Sequence, residues 1–222
     1  MDTPGASTPR LVGLTLGDEP DAWRAAGFHV ERARFVAGGV TCHLVGPANG
    51  RGVLGWQLDP APAHPLDGLA SRHTGTFPPT DGEHPNGVTA LDHVVVATDD
   101  LERTTSALAT AGITPRRTVV GAQGDADVAF RFFLLGTCAL ELVGPADRAG
   151  GHAAPTGDAA PCGRATFAGL AFATSRIDEL GALAPPPRPA VQPGRRITTL
   201  DHRALGVSVP VALLSPRPPR RN

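Results

Sequence analysis

The sequence predicts an α+β fold assembled from repeated modules of one strand, one helix and further strands. Three observations carry this. Leu91–Ala97, "LDHVVVA", is an apolar, Val-rich strand, and "DDLERTTSALATAG" behind it has helix character. The same order of signals returns in the C-terminal third and, more faintly, in the N-terminal quarter. Finally, "GGVTCHLVGP" (Gly38 to Pro47) echoes "GTCALELVGP" (Gly136 to Pro145), and self-similarity of this kind outranks any single motif.

In the N-terminal segment, "RLVGLTL" reads as a strand and "EPDAWRAAG" as a helix. "ARFVAGG" with "VTCHLVGP" reads as a hairpin, and "GVLGWQL" adds one strand. In the middle segment Asp99 or Asp100 is placed to cap the helix and Gly112 to end it. "ITPRRTVV", "DVAFRFFLLG" and "CALELVGP" follow as strands, the last two joined by a tight turn at Gly136-Thr137. In the C-terminal segment "ATFAGLAFAT" is a strand and "SRIDELGAL" a short helix. "PAVQ", "RRITTLD" and "VPVALLSP" are the further strands. The stretches between segments are rich in Gly, Pro, Ala and Asp and read as loops.

The composition narrows function mainly by exclusion. A net charge of −1 over 222 residues disfavours nucleic acid or an acidic membrane surface as partner. All basic residues are Arg, a bias that carries no chemistry. The start "MDTPGASTPR" has no apolar run, so neither signal peptide nor membrane anchor is expected and the expected location is cytoplasmic. Cys42, Cys138 and Cys162 lack CxxC spacing and read as buried free thiols. There is no GxSxG and no phosphate loop, so serine hydrolases and nucleotide enzymes are unsupported.

"LDHVVVATDDLE", "LELVGP" and "AVQPGRRITTL" together resemble the vicinal-oxygen-chelate superfamily, which includes glyoxalase I, extradiol dioxygenases and the fosfomycin and bleomycin resistance proteins. The likeness is to its uncharacterised glyoxalase-like branch. It spans about residues 88–217, and residues 10–58 as a weak extra copy. It implies paired βαβββ modules whose curved mixed β-sheets surround a central cavity. The implied organisation is a degenerate module at 1–60, a Pro/Gly-rich linker at 61–87 and a glyoxalase-like domain at 88–217, its modules at 88–145 and 165–217. A disordered tail at 218–222 ends it.

The resemblance also implies metal ligands on the first and fourth strand of each module. In the middle module these positions fall on His93 and Glu141. Aligning "HVVVATDDL" with "GLAFATSRI" and "LELVGP" with "VALLSP" puts the other two on Gly169 and Ala212, which offer no side-chain donor. Half of the ligand set is therefore missing, and the expected cofactor is none, or a weakly held divalent metal such as Fe, Mn, Ni or Zn. The repeat places His43 opposite Glu141. Pairing of the N-terminal and middle modules would then bring His43, His93 and Glu141 together as a two-His, one-carboxylate set. The first-strand position of that copy, near Leu11, is empty.

Strand alternation sends Leu91, His93 and Val95 to one face, and Ala139, Glu141 and Val143 to one face of theirs. The competing readings are a core histidine for His93, an ion pair with Arg131 for Glu141, and a solvent-facing strand residue for His43. "QPGRR" offers Arg195 and Arg196 at a turn, with Arg196 as a ligand-carboxylate clamp or a solvated residue. Phe130, Phe132 and Phe133 divide two rings to one face and one to the other; Trp23 and Trp56 read as packing residues. His64, His73, His84 and His152 receive no role. Two functions remain open: a protein that binds a small, largely apolar molecule in a sheet-lined cavity, or a metal-dependent lyase, isomerase or dioxygenase using His93 and Glu141. Three modules leave one unpaired, and its open face must be covered by the main domain or by a second chain; a homodimer is expected.

Overall fold

The computed structural model describes residues 8–73, 82–123, 126–146 and 163–217. The tail at 218–222, Cys162 and His152 lie outside them. In chain order the elements are β1 (Arg10–Leu16), α1 (Pro20–Ala25), β2 (Arg34–Ala37), β3 (Val40–Leu44), β4 (Val53–Asp59), β5 (Val88–Ala97) and α2 (Leu101–Ala109). These are followed by β6 (Arg117–Gln123), β7 (Ala126–Leu135), β8 (Cys138–Pro145), β9 (Thr166–Thr174), β10 (Arg188–Pro189), β11 (Arg196–Thr199) and β12 (Val211–Leu214). They form a four-stranded sheet, β2-β3-β1-β4, and an eight-stranded one, β10-β11-β12-β9-β5-β8-β7-β6. The fold is α+β with curled mixed sheets, as the sequence predicts.

The middle module follows its local signals closely. Asp100 caps α2, its carboxylate accepting from the Arg103 backbone N–H at 2.9 Å. Gly112 takes φ +74° just past the helix, and Gly136 takes φ +75° in the β7–β8 turn. Leu101, Thr104 and Leu108 of α2 are buried, as are Leu140 and Leu142 on β8 and Val94 and Val96 on β5. That face of the large sheet is its covered face. The opposite face, carrying His93, Val95, Ala139, Glu141 and Val143, is only half-buried.

Central strands β5 and β9 run antiparallel, with Val94 opposite Leu170 at the pseudo-two-fold between the modules. His93 then faces Ala171, and Val95 faces Gly169. In the middle module Val95 also pairs with Glu141, and in the C-terminal module Ala171 pairs with Ala212. Gly169 and Ala212 are therefore the symmetry counterparts of His93 and Glu141.

The C-terminal module departs from expectation in two places. "SRIDELGAL" forms turns and a single 3-10 turn at Gly181–Leu183 rather than a helix. Only Ile177 and Leu180 there are buried, and Pro185 to Pro187 follow at once. "PAVQ" supplies one strand residue, Pro189, and Val191 is 98% exposed. The place of the missing helix is filled by the N-terminal unit. Trp23, Phe28 and Phe35 pack on Phe172 of β9, with ring centroids 6.3, 5.1 and 6.1 Å away. Trp56 meets Phe167 at 5.3 Å. Asp18 ties the seam, accepting from the Trp23 indole N–H at 3.0 Å and from the Ser208 backbone N–H at 3.0 Å. The N-terminal module is thus covered by its own chain, which removes the ground on which a homodimer was expected.

Strand register makes the four-stranded sheet a reduced copy of the large one. β1 pairs with β3 as β5 does with β8: Thr15 faces His43 as Val95 faces Glu141. Leu14 opposes Trp56 as Val94 opposes Leu170, so β4 stands where β9 stands. Even β12 has an echo. The Trp56 N–H donates to the Ala70 carbonyl at 3.0 Å, as that of Leu170 does to Pro210 at 2.9 Å. The copy thus runs on to about Arg72. By this register the counterpart of His93 is Gly13, not a position near Leu11. Leu66 and Leu69, in the stretch expected to be a loose linker, are buried. No helix among the described residues is long and apolar enough to cross a membrane.

Candidate functional site

The Asp-His pair at the start of β5 is explained by a β-bulge. Register against β9 slips between Leu91 and His93, leaving Asp92 as the extra residue. A regular strand would send Asp92 and His93 to opposite faces. Here the Asp92 carboxylate lies beside the imidazole, with Oδ2 2.9 Å from Nδ1. The slip also breaks the expected alternation: Leu91 is buried with Val94 and Val96, while His93 and Val95 share the half-buried face.

Asp92 is nearly sealed, its side chain 5% exposed, and its charge is met from the C-terminal module. Arg195, with a side chain only 1% exposed, donates from Nη1 to Asp92 Oδ1 at 2.9 Å. Its Nε donates to the Ser215 carbonyl at 2.8 Å and Nη1 also reaches Gln192 Oε1 at 2.7 Å. Arg217 approaches the same Asp92 oxygen at 3.6 Å from the surface. Burial pushes the Asp92 carboxyl up, but the His93 hydrogen bond and the charges of Arg195, His93 and Arg217 together hold it below the usual range.

The other imidazole nitrogen, Nε2, lies 3.5 Å from Glu141 Oε2. Burial raises the Glu141 pKa above the usual carboxylate value, opposed by His93 and reinforced by the negative charge of Asp92. The four groups form a chain, Arg195–Asp92–His93–Glu141, in which the buried arginine and Asp92 balance each other. His93 and Glu141 then stand at the open end, Nε2 toward Oε2. With Nδ1–H donated to Asp92, Nε2 is left to accept from a protonated Glu141 or from a ligand.

Pairing registers define what surrounds this end. Ala171, His93, Ala139 and Leu134 lie in one cross-strand row. Gly169, Val95, Glu141 and Phe132 form the next. Apart from His93 and Glu141 both rows are apolar. Phe130 and Phe132 are half-buried on this face, whereas Phe133 is in the core. Arg131 points the other way, pairing with Glu102 and donating to Thr105 Oγ1 at 2.7 Å, so it is not the partner of Glu141.

The remaining expected residues fall elsewhere. His43 sits on β3 in the four-stranded sheet, in a different sheet from His93 and Glu141, because the middle module pairs with the C-terminal one. Arg196 pairs with Asp178 at the surface, and it is its neighbour Arg195 that enters the site. Sequence reading offered Arg195 only beside Arg196 at a turn, and gave no role to Asp92 or Arg217. The signal for Asp92 was an acid next to a histidine in an apolar strand. His84, given no role, is buried and staples its loop to the N-terminal unit. Its Nδ1 accepts from the His29 backbone N–H, and its Nε2 lies 2.9 Å from the Val36 carbonyl. Cys42 and Cys138 are buried free thiols.

The residues do not fit a catalytic metal centre. Two of the four implied positions are Gly169 and Ala212. A Cβ on Gly169 would already stand 3.4 Å from the Pro210 carbonyl. Asp92 is spent on His93 and Arg195. Among the described residues no group of three or more His, Cys, Asp or Glu is placed to hold an ion.

Glu141 gives the site a testable pH signature. Its folded pKa is raised, so relative to the unfolded chain it favours folding below its unfolded pKa, and this contribution is lost as pH rises through the folded value. Glu141→Gln, uncharged at every pH, is therefore expected to raise the melting temperature at pH 8, with the gain shrinking toward pH 4. A melting temperature lowered equally at both pH values would contradict it.

Comparison with known proteins places this geometry in a family. The family model described as the Glyoxalase/Bleomycin resistance protein/Dioxygenase superfamily matches residues 92–203, half of the chain. No curated protein matches by sequence. Among solved structures, methylmalonyl-CoA epimerase from Mycobacterium tuberculosis is similar at 18% identity and TM-score 0.44, over 62% of this chain and 95% of that one. A hypothetical protein from Bacillus halodurans is similar at 16% identity and TM-score 0.40, over 60% and 97%. A Streptomyces coelicolor methylmalonyl-CoA epimerase variant in complex with 2-nitronate-propionyl-CoA is similar at 21% identity and TM-score 0.40, over 59% and 99%. The chain belongs to the glyoxalase/bleomycin resistance protein/dioxygenase superfamily.

Proposed function

We propose that the half-buried face of the eight-stranded sheet binds a small, largely apolar molecule, with His93 and Glu141 as its polar floor and without a metal ion. The observation that carries this reading is the lone His93–Glu141 pair within apolar rows that include Leu134, 45% exposed, and the half-buried Phe132. Such a surface offers contact area to an apolar body and one place for a hydrogen-bonding group. Gly169, Ala171 and Ala139 are small, which keeps the floor around the pair low. A protonated Glu141 donates to a ligand oxygen, while His93 Nε2 accepts from a ligand hydroxyl.

The test uses phenylacetamide, a neutral amphipathic probe, followed by amide chemical shifts at ~10 mM. Shifts are expected to cluster at His93, Val95, Glu141 and Val143, and to be lost in His93→Ala. Asp92 keeps Arg195 in that variant, so its melting temperature is expected to stay within ~4 °C of wild type, about 1 kcal/mol for a chain of this size. A drop of about 10 °C would make His93 a structural residue instead. One tightly held transition metal per chain on His93 and Glu141 would overturn the metal-free reading.

A further inference from the structure

Resting on that reading, we infer that the natural ligand is a small organic acid whose single anionic group is held by Arg217 at the Asp92 end of the site. Charge accounting along the chain of contacts leads there. Arg195 and Asp92 are both buried and in direct contact at 2.9 Å, so their charges cancel. His93 and Glu141 face each other at 3.5 Å, so Glu141 has its neighbour in His93 and not in Arg217. Arg217 remains. Its guanidinium stands 3.6 Å from an Asp92 oxygen that Arg195 already occupies at shorter range, and its side chain is 60% exposed. Among the described residues no other carboxylate lies within ion-pair distance of it.

Arg217 thus has an incompletely paired guanidinium at the Asp92 end of the chain of contacts, on a long and exposed side chain. Asp92 cannot satisfy two guanidinium groups well, because its other oxygen receives His93 Nδ1. A carboxylate arriving on the sheet face gives Arg217 the paired oxygens that Asp92 withholds. The ligand's apolar body then covers Val95 and Phe132, and a carbonyl or hydroxyl oxygen meets Glu141 and His93. Arg217 is the binding residue of this proposal. Arg195 is a positioning residue, acting through Asp92 on the ring of His93.

The probes are phenylacetate and its neutral isostere phenylacetamide, titrated into the full chain at low ionic strength. The acid is expected to bind about tenfold more tightly than the amide, as one charge-assisted contact provides. In Arg217→Ala the preference is expected to fall to about unity, and Arg217→Lys should restore part of it. Salt at ~1 M is expected to erode the preference in the wild type, because Arg217 is exposed. Equal affinity for acid and amide in the wild type, or a preference that survives Arg217→Ala, overturns the assignment while leaving an apolar site at His93 and Glu141 in place. Failure of both probes to perturb that face would overturn the site itself.

Discussion

Asp92→Ala is expected to lower the melting temperature by about 10 °C. The variant leaves the Arg195 guanidinium enclosed with only neutral acceptors, Gln192 and Ser215, and removes the anchor of His93 Nδ1. Breaking one side of a buried ion pair typically costs about 3–5 kcal/mol, because the remaining charge stays desolvated. In a chain of this length each kcal/mol moves the midpoint by roughly 2–4 °C. Removing both charges at once is milder: Asp92→Leu with Arg195→Met is expected to recover most of the loss, and a double-mutant cycle measures the coupling. The Asp92 contribution has a defined pH window. Its folded pKa is lowered, so the stability it supplies is present above the unfolded carboxylate value, near 4, and is lost as pH falls through the folded value. A single-variant midpoint within ~3 °C of wild type at pH 7 would show that Arg195 finds water or another partner, and that the chain of contacts is not a unit.

The same bulge shows where sequence reading stops. β5 to β8 could be read locally because each signal acts within a few residues: Val alternation, the Asp100 cap, and glycines where φ must be positive. His93 and Glu141 were legible through the family resemblance and through the oddity of polar residues in apolar strands. The slip at Asp92 has no local signature, because it is defined against Phe172, eighty residues away, on a strand whose pairing is tertiary. Choosing Arg195 over Arg196 is the same problem in miniature. Adjacent residues at the start of a strand face opposite ways, and only the neighbouring strand fixes which one turns inward. The C-terminal helix was expected from composition but lost to context. Its place against Phe172 is taken by Trp23, Phe28 and Phe35, which no window around residue 180 contains.

That substitution of one covering element by another leads to the second large effect. Phe172→Ala is expected to cost about 3–5 kcal/mol, the range for truncating a fully buried Phe, since the ring is 0% exposed. The loss should be unevenly distributed. Phe172 lies on the covered face of β9, where it is the common contact of Trp23, Phe28 and Phe35, while β8 keeps α2 packed on it. Amide exchange is therefore expected to rise most in residues 10–59, with strand β8 retaining more of its protection. Asp18, held to Ser208 across the same seam, would slow but not prevent the detachment. Because Ala171 and Gly169 project to the opposite face, binding of the phenylacetamide probe at His93 and Glu141 should persist below the new midpoint. Loss of protection by the same factor in both sheets would mean that the N-terminal unit and the large sheet unfold as one body. The N-terminal copy would then be an integral part of the core and not a cover laid over it.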